Sequence, residues 1–594
     1  MARLRFLSFA PLLLLLVGIP GAPLGADPPR PVAAAAPVAE TLRLDFPPGR
    51  PGGRLVVALT AEPRSFNPLI ATDNPSLTVL YLLHADLYHI DRGSQETVPA
   101  LAKKLTVSEG GRRYRAELRR GLQFSDGQPL DADDVVFTFS ALLDEEVGAV
   151  GLAALTLGAD KIQVKKVDAY TVDFLLPAPS ASGERIFDSQ AILPEHLLGE
   201  AWRAGRLGEA WALGSDPKNL AGMGPFRLKS YTPGEKLVLE RNPYYWKEDA
   251  SGKRLPYLDE LVFLFVADEA ARSLRFEAGE TQVASQLSAE TFHRLEEKAK
   301  RAGKAGFDVY DLGPGLTYHT LFFNLNEIDP KAQPELAAKQ AFFRLKAFRR
   351  AVSLAIDRAA IVRLVYRGKA SQSSSHVSPG NKVFADPQAT AAPRDLAAAR
   401  RLLGEAGFRW DADGALFDPA GTRVAFTLTT NSSNRERVQI ATLLQSDLGQ
   451  LGMAVEVVPL EFRSLIERVT GSFDYEASIL GLGGGDPDPN STLNVWQSSG
   501  QSHLWQLSGK VRFPFEEKLD RLMASQMIER DPQKRRAFLS EALALIEDEQ
   551  PLIALVTPHV LVAAQRGLGR FAPSVLEPPT LWNAEELFWQ TTEP

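Results

Sequence analysis

Apolar residues recur along this chain in two rhythms, one for each half. In the first half the short period dominates. Leu55 to Leu59 is an apolar run of strand length, set off by Gly52-Gly53 and followed by a loop between Pro63 and Pro68. YRAELRRGLQFSDGQPL and KIQVKKVDAYTVDFLL predict strands between Thr106 and Leu176. Between them, DADDVVFTFSALLD predicts a helix with Asp131 or Asp133 near its start, where carboxylates complement the helix dipole. SLTVLYLLHADLYHID predicts another helix, with Ser76 as its N-cap. GMGPFRLKSYTPGEKLVLERNPYYW predicts two strands around the turn Thr232-Pro233-Gly234, and DELVFLFVADEAARSLRFEAGE a strand followed by a helix.

The second half alternates strands with helices. HTLFFNLN, RVAFTLTTN, AVEVVPL and FDYEASILGLGGG predict strands. FFRLKAFRRAVSLAIDRAAIVRLVYRG predicts a helix pair, DLAAARRLLGEAGF a helix ended by Gly407, and RERVQIATLLQSDLGQLGM and SLIERVTG further helices. Two more helices break at Asp531-Pro532, and LIALVTPHVLVAA closes with strand-like residues. An α/β lobe thus follows a strand-rich one.

At 594 residues the chain exceeds the ~250–300 at which a single core stops growing, so at least two domains are expected. The first 26 residues read as a secretory signal peptide: Arg3 and Arg5, the apolar run Phe6 to Val17, then small residues, with cleavage expected near Ala22–Ala26. The run is short of the ~20 residues a membrane span needs, and Pro20 interrupts it. Residues 27–50 read as a Pro/Ala-rich linker.

A net charge of −7 argues against a nucleic-acid partner, whose binding leans on basic residues. With no cysteine, disulfides, thiolate catalysis, Cys-based metal sites and a lipidated cysteine anchor are excluded.

Candidate chemistry concentrates in GLGGGDPDPN, residues 481–490, where a strand runs into glycines and two Asp-Pro pairs. A phosphate cradle would need GxxxxGK[ST] or GxGxxG before a helix; Gly481 and Gly483 fit the first two glycines of the second pattern, but its last falls on Asp486. A calcium loop would use Asp486, Asp488 and Asn490, but Ser491 stands where glycine is needed and Gln497 where Glu is needed. A catalytic carboxylate pair finds no supporting GxSxG or HExxH, and the eight histidines are scattered. A plain structural turn remains open, as does a ligand-anchoring loop. In the latter, Gly485 lets the backbone approach a ligand while Asp486 and Asp488 pair with an ammonium or hydroxyl. Asn490 and Trp496 stand close by in sequence.

Several segments resemble family 5 extracellular solute-binding proteins, the oligopeptide/dipeptide-binding components of ABC importers. LQFSDGQPLDADDVVFTF resembles the family's FxDGxPLxAxDVVFTF, and GMGPFRLKSYTPGEKLVLERNPYYW resembles its GTGPYxLxxxxPGxxxxLxRNPxYW. LKAFRRAVSLAIDRAAIVRLVYRGKA and GDPDP followed by VWQSSG also fit, in order from about residue 52 to 592. The resemblance implies an α/β, two-lobed periplasmic-binding-protein clamshell in the three-domain variant. Lobe I would comprise 50–97, 222–315 and 555–594, inserted domain II 98–221, and lobe III 316–554.

It also implies a non-enzymatic periplasmic receptor without cofactor or metal, exported without a lipid anchor and monomeric. Such a receptor captures a peptide between its lobes and hands it to membrane permease subunits. An oligosaccharide, a nickel complex or another solute on the same fold is the alternative, and a secreted hydrolase is a further one. In peptide binders a Trp-x-x-Asp loop holds the peptide ammonium. Here Leu482 takes the Trp position, Gly485 the third place after it, and Asp486 comes one residue late. By the same resemblance Tyr318, His319 and Asn324 belong to a cleft-facing strand, and Thr72 and Asn74 to a ligand-facing loop.

Overall fold

The computed structural model describes residues 39–591 except 158–159, 303–305, 374, 392 and 484–485. The signal-peptide reading and the first part of the linker therefore lie outside the described residues. The rest of the linker is docked: Leu42–Arg43 pairs parallel with Lys247–Glu248, and Phe46 is buried.

Two sheets dominate a mixed α/β architecture. One is eight-stranded, in the order Phe226–Thr232, Lys236–Arg241, Glu260–Phe265, Arg54–Leu59, Val283–Ala284, Val556–Gln565, Phe307–Pro314, with Ala370–Gln372 also on Val556–Gln565. The other is five-stranded, in the order Ala454–Leu460, Ala425–Asn431, Ala477–Leu482, Tyr318–Phe323, Leu552–Ala554. A four-stranded antiparallel sheet, Ala102–Ser108, Arg113–Leu118, Thr171–Leu175 and Gln163–Asp168, extends the first lobe. Its buried face meets the helix Ala132–Leu143, where Phe139, Phe174 and Phe187 pack edge to face at 4.7–6.0 Å.

Each large sheet has its own core. Leu55, Phe124, Phe187 and Trp246 belong to one, Leu321, Phe348, Leu444 and Trp505 to the other. The chain crosses between the sheets from Pro314 to Tyr318 and again at Leu555. The closing apolar run LIALVTPHVLVAA is thus divided: Leu552–Ala554 joins the five-stranded sheet and Val556–Gln565 the eight-stranded one. Two cores joined by short strand crossings make a two-lobed clamshell.

Local expectations held where caps and turns were explicit. Asp131 caps Ala132–Leu143, and its capping box is completed by Asp134. Asp531 caps Pro532–Glu549. Ser76 is not the cap expected of it. The helix spans Asn74–Leu83 and Asp73 caps it, accepting from the Ser76 amide at 2.9 Å and its hydroxyl at 2.8 Å. Pro75 in the first turn has no amide donor to satisfy there, which favours the earlier start. The helix also stops sooner than its apolar pattern suggested. His84 turns out to stack on Trp211, and Tyr88–Ile90 is a strand.

Of the NPYYW aromatics, Tyr245 and Trp246 are core, while Tyr244 is 36% exposed. Among the described residues, no helix is long and apolar enough to cross a membrane.

Candidate ligand-binding site

The strand Ala477–Leu482 lies at the centre of the five-stranded sheet, antiparallel to Tyr318–Phe323, with Leu482 opposite Tyr318 and Gly481 opposite His319. Beyond this end, Asp486 meets the other lobe through Arg185. Gly483 has φ +132°, and a Cβ there would lie 2.4 Å from the Leu316 carbonyl, so only glycine fits beside the crossover. Gly485 lies outside the described residues.

The two loop acids have different surroundings. Asp488 is 3% exposed and both its oxygens take hydrogen bonds from Arg535, at 2.7 Å each. It also caps the short turn Pro489–Thr492 by accepting from the Asn490 amide. Its polar capacity is therefore taken up inside the protein. Asp486 is more open. Its Oδ1 accepts from Arg185 Nε and from the Asp488 amide, each at 2.8 Å. Burial pushes its carboxyl above the usual range, and Arg185 pulls against that. Asn490 donates to Ser182 Oγ at 3.1 Å while its Oδ1 accepts from Arg535 and Gln526. The Asp-x-Asp-x-Asn run thus faces guanidinium groups.

Tyr318 and His319 both stand at the loop end of their strand. Tyr318 donates to His376 Nδ1 at 2.9 Å, since the other imidazole nitrogen of His376 is directed at the Leu552 carbonyl. Trp496, 4% exposed, packs edge-on to His376 at 4.9 Å, so it is a wall behind the site. His319 Nδ1 accepts from Arg437 Nε at 3.4 Å, which leaves Nε2–H for the Tyr366 hydroxyl at 2.7 Å. Burial, then Arg437, hold the His319 imidazole down at about 3, and burial holds His376 at about 4, so both are neutral near pH 7.

Asn324 belongs elsewhere. It lies just past the strand Tyr318–Phe323, six residues on and ~20 Å from Tyr318 at strand rise. It is fully buried, with its amide on the Phe473 and Tyr475 carbonyls. Its role in the fold is to pin the far end of the sheet. Thr72 and Asn74 are exposed, flanking the Asp73 cap on the other lobe, with no hydrogen bond to the loop among the described residues.

Three arginines at this site went unread in the sequence: Arg185, Arg437 and Arg535. Arg437 sits in the first turn of the helix Arg435–Gly449, half-buried, its guanidinium against Gly481, where a Cβ would come 2.6 Å from Nη2. No carboxylate among the described residues forms an ion pair with it. Burial lowers its pKa, Tyr366 and Glu436 pulling the other way. A cation in a first turn opposes the helix dipole, and that was the available signal: NRER opens this helix with two arginines. A desolvated cation at a helix N-terminus suits an anionic group.

A profile of the bacterial extracellular solute-binding proteins, family 5, matches residues 96–503. The chain is 28% identical over 516 residues to a probable ABC transporter-binding protein of Deinococcus radiodurans, covering 84% of this chain and 85% of that one. It is similar in structure to the oligopeptide-binding protein AppA of Bacillus subtilis in complex with a nonapeptide. That likeness has a TM-score of 0.68 at 25% identity, over 92% of this chain and all of that one. NikA of Brucella suis, in complex with Fe(III)-EDTA, shares the fold with a TM-score of 0.74 at 20% identity, over 90% of this chain and 100% of that one. A matched profile over more than half the chain, two cores joined at a crossover, and a polar loop poised between them lead to one conclusion: the chain belongs to family 5 of the bacterial extracellular solute-binding proteins.

Proposed function

We propose that the protein is the periplasmic receptor of an ABC importer and that its ligand is a peptide held by a carboxylate at Arg437. The supporting observation is the guanidinium of Arg437, half-buried at a helix start without an acidic partner among the described residues. Oligopeptide binding by the similar AppA, 27% identical over 529 residues, supports the peptide class. In this reading the first lobe comprises 50–97, 222–315 and 555–594, its insertion 98–221, and the second lobe 316–554. Export uses a signal peptide cleaved near Ala22–Ala26. The cysteine-free chain carries no lipid, works as a monomer with the permease, and does no chemistry on its cargo.

Closure follows from contacts made by both lobes, because a ligand equally bound in open and closed forms could not shift the equilibrium. An oligosaccharide would favour exposed aromatic platforms, whereas Trp496 and Tyr318 are both buried.

The test is calorimetric titration with a peptide and its C-amidated twin. Amidation is expected to weaken binding by about 1.5–3 kcal/mol, the value of a charge-assisted hydrogen bond. Equal affinity for the twins would remove Arg437 as the carboxylate anchor, and failure of any peptide to bind would remove the peptide class.

A further inference from the structure

Arg185 reaches Asp486 from the opposite lobe. It lies in the turn Gly183–Phe187, whose Phe187 is fully buried in the first core. Asp486 follows Leu482, which packs on the second core. The guanidinium is fixed on its own side as well, donating to Thr97 Oγ1 at 3.2 Å and the Gln95 carbonyl at 3.4 Å. The residues just before this turn meet the opposite lobe twice more. The Ala181 amide donates to the Met527 carbonyl at 2.8 Å, and Asn490 donates to Ser182 Oγ at 3.1 Å. Asp488, the other loop acid, is closed by Arg535 within its own lobe.

We propose that Arg185 is a specificity-determining residue: by capping Asp486 across the cleft it supplies the cation of the closed site, so the ligand is bound without an ammonium on that carboxylate. This rests on the peptide reading above and narrows it to peptides whose amino end is blocked, cyclised or held away from the glycine loop. A ligand ammonium reaching for the remaining oxygen, Oδ2, would meet a like charge, the Arg185 guanidinium held on Oδ1 at 2.8 Å, which weakens that pairing. Glu184, the neighbouring acid, has its carboxyl pushed up by burial, which makes it a poorer substitute.

Two measurements test this on the mature full chain. Because the chain has no cysteine, Lys165→Cys and Gln439→Cys place one spin label on an exposed position of each lobe. Arg185→Ala should lengthen and broaden the inter-label distance without ligand. Asp486→Asn should do the same, and the double variant should do no more than either. A distribution unchanged by both single variants overturns the cap.

In titrations, a peptide and its N-acetylated twin should bind the unmodified protein within about threefold of one another. Arg185→Ala should shift the ratio toward the free amine by about tenfold. A preference of about tenfold or more for the free amine in the unmodified protein overturns the ligand assignment. If neither twin binds, the peptide reading is what fails, and the label distances still decide the cap.

Discussion

Arg535 holds both carboxylate oxygens of Asp488 at 2.7 Å in a site where each side chain is less than a tenth exposed. The acid that the sequence offers as a ligand anchor is thereby a structural post for the loop beside it. Removing one partner of such a pair strands a buried charge. Asp488→Ala should therefore cost about 3–5 kcal/mol of stability. Asp488→Ala with Arg535→Met should cost less than the single change, as read by urea unfolding. A fully stable Asp488→Ala variant that has lost only ligand affinity would reverse this assignment.

Arg437 predicts the opposite balance. Its burial without an acidic partner opposes folding, so Arg437→Met should leave stability unchanged or raised. Affinity for a carboxylate ligand should fall by about 10–100-fold, equivalent to about 1.4–2.7 kcal/mol. Parallel thermal melts and titrations separate the two effects. Loss of both together would indicate a scaffold arginine.

Gly481 tests the same group from its neighbour. A methyl at this position would stand 2.6 Å from Arg437 Nη2, the far end of a flexible side chain, so the strand can keep its pairing while the guanidinium moves. Gly481→Ala should shift the melting temperature little and weaken a carboxylate ligand several-fold, roughly the 1 kcal/mol scale of one hydrogen bond. The C-amidated twin should be far less affected.

Three buried histidines set an acid limit. Burial holds His84 and His376 at about 4, and burial with Arg437 holds His319 at about 3, each below the ordinary 6.5. A depressed folded-state pKa means that the unfolded chain binds the extra protons. Their stabilisation is therefore complete above pH 6.5 and is lost as pH falls from there through about 4. Unfolding free energy measured between pH 7 and 4 should drop with a slope approaching three protons. His84 has no hydrogen-bond partner for either nitrogen among the described residues. His84→Leu should lower that slope by about one proton. An unchanged slope would mean that the ring is reached by water.

How much could be read in advance depended on whether a signal was local. Asp131, Asp531 and the turn Thr232-Pro233-Gly234 act within a few residues, and the structure has those elements where the sequence put them. Ser76 differs because two residues three apart, Asp73 and Ser76, can both cap and only the position of Pro75 decides. The division of LIALVTPHVLVAA between two sheets has no local mark, since both parts are equally apolar. At the site, the glycine loop and its acids stood out by composition, and Tyr318 and His319 through the family resemblance. Their partners did not. Arg185 is 301 positions from Asp486 and Arg535 is 47 from Asp488, so nothing short of the fold could pair them. Asn324 directly follows the strand that Tyr318 begins, and six residues of extended chain separate the two by about 20 Å.

Capture of an intact solute between the two lobes should be visible by native mass spectrometry of the purified protein with a mixed peptide library. A one-to-one complex is expected, with its ligand mass unchanged after hours of incubation and its abundance lower in Arg437→Met. Cleaved peptides, or a protein that retains none of the library, would contradict it.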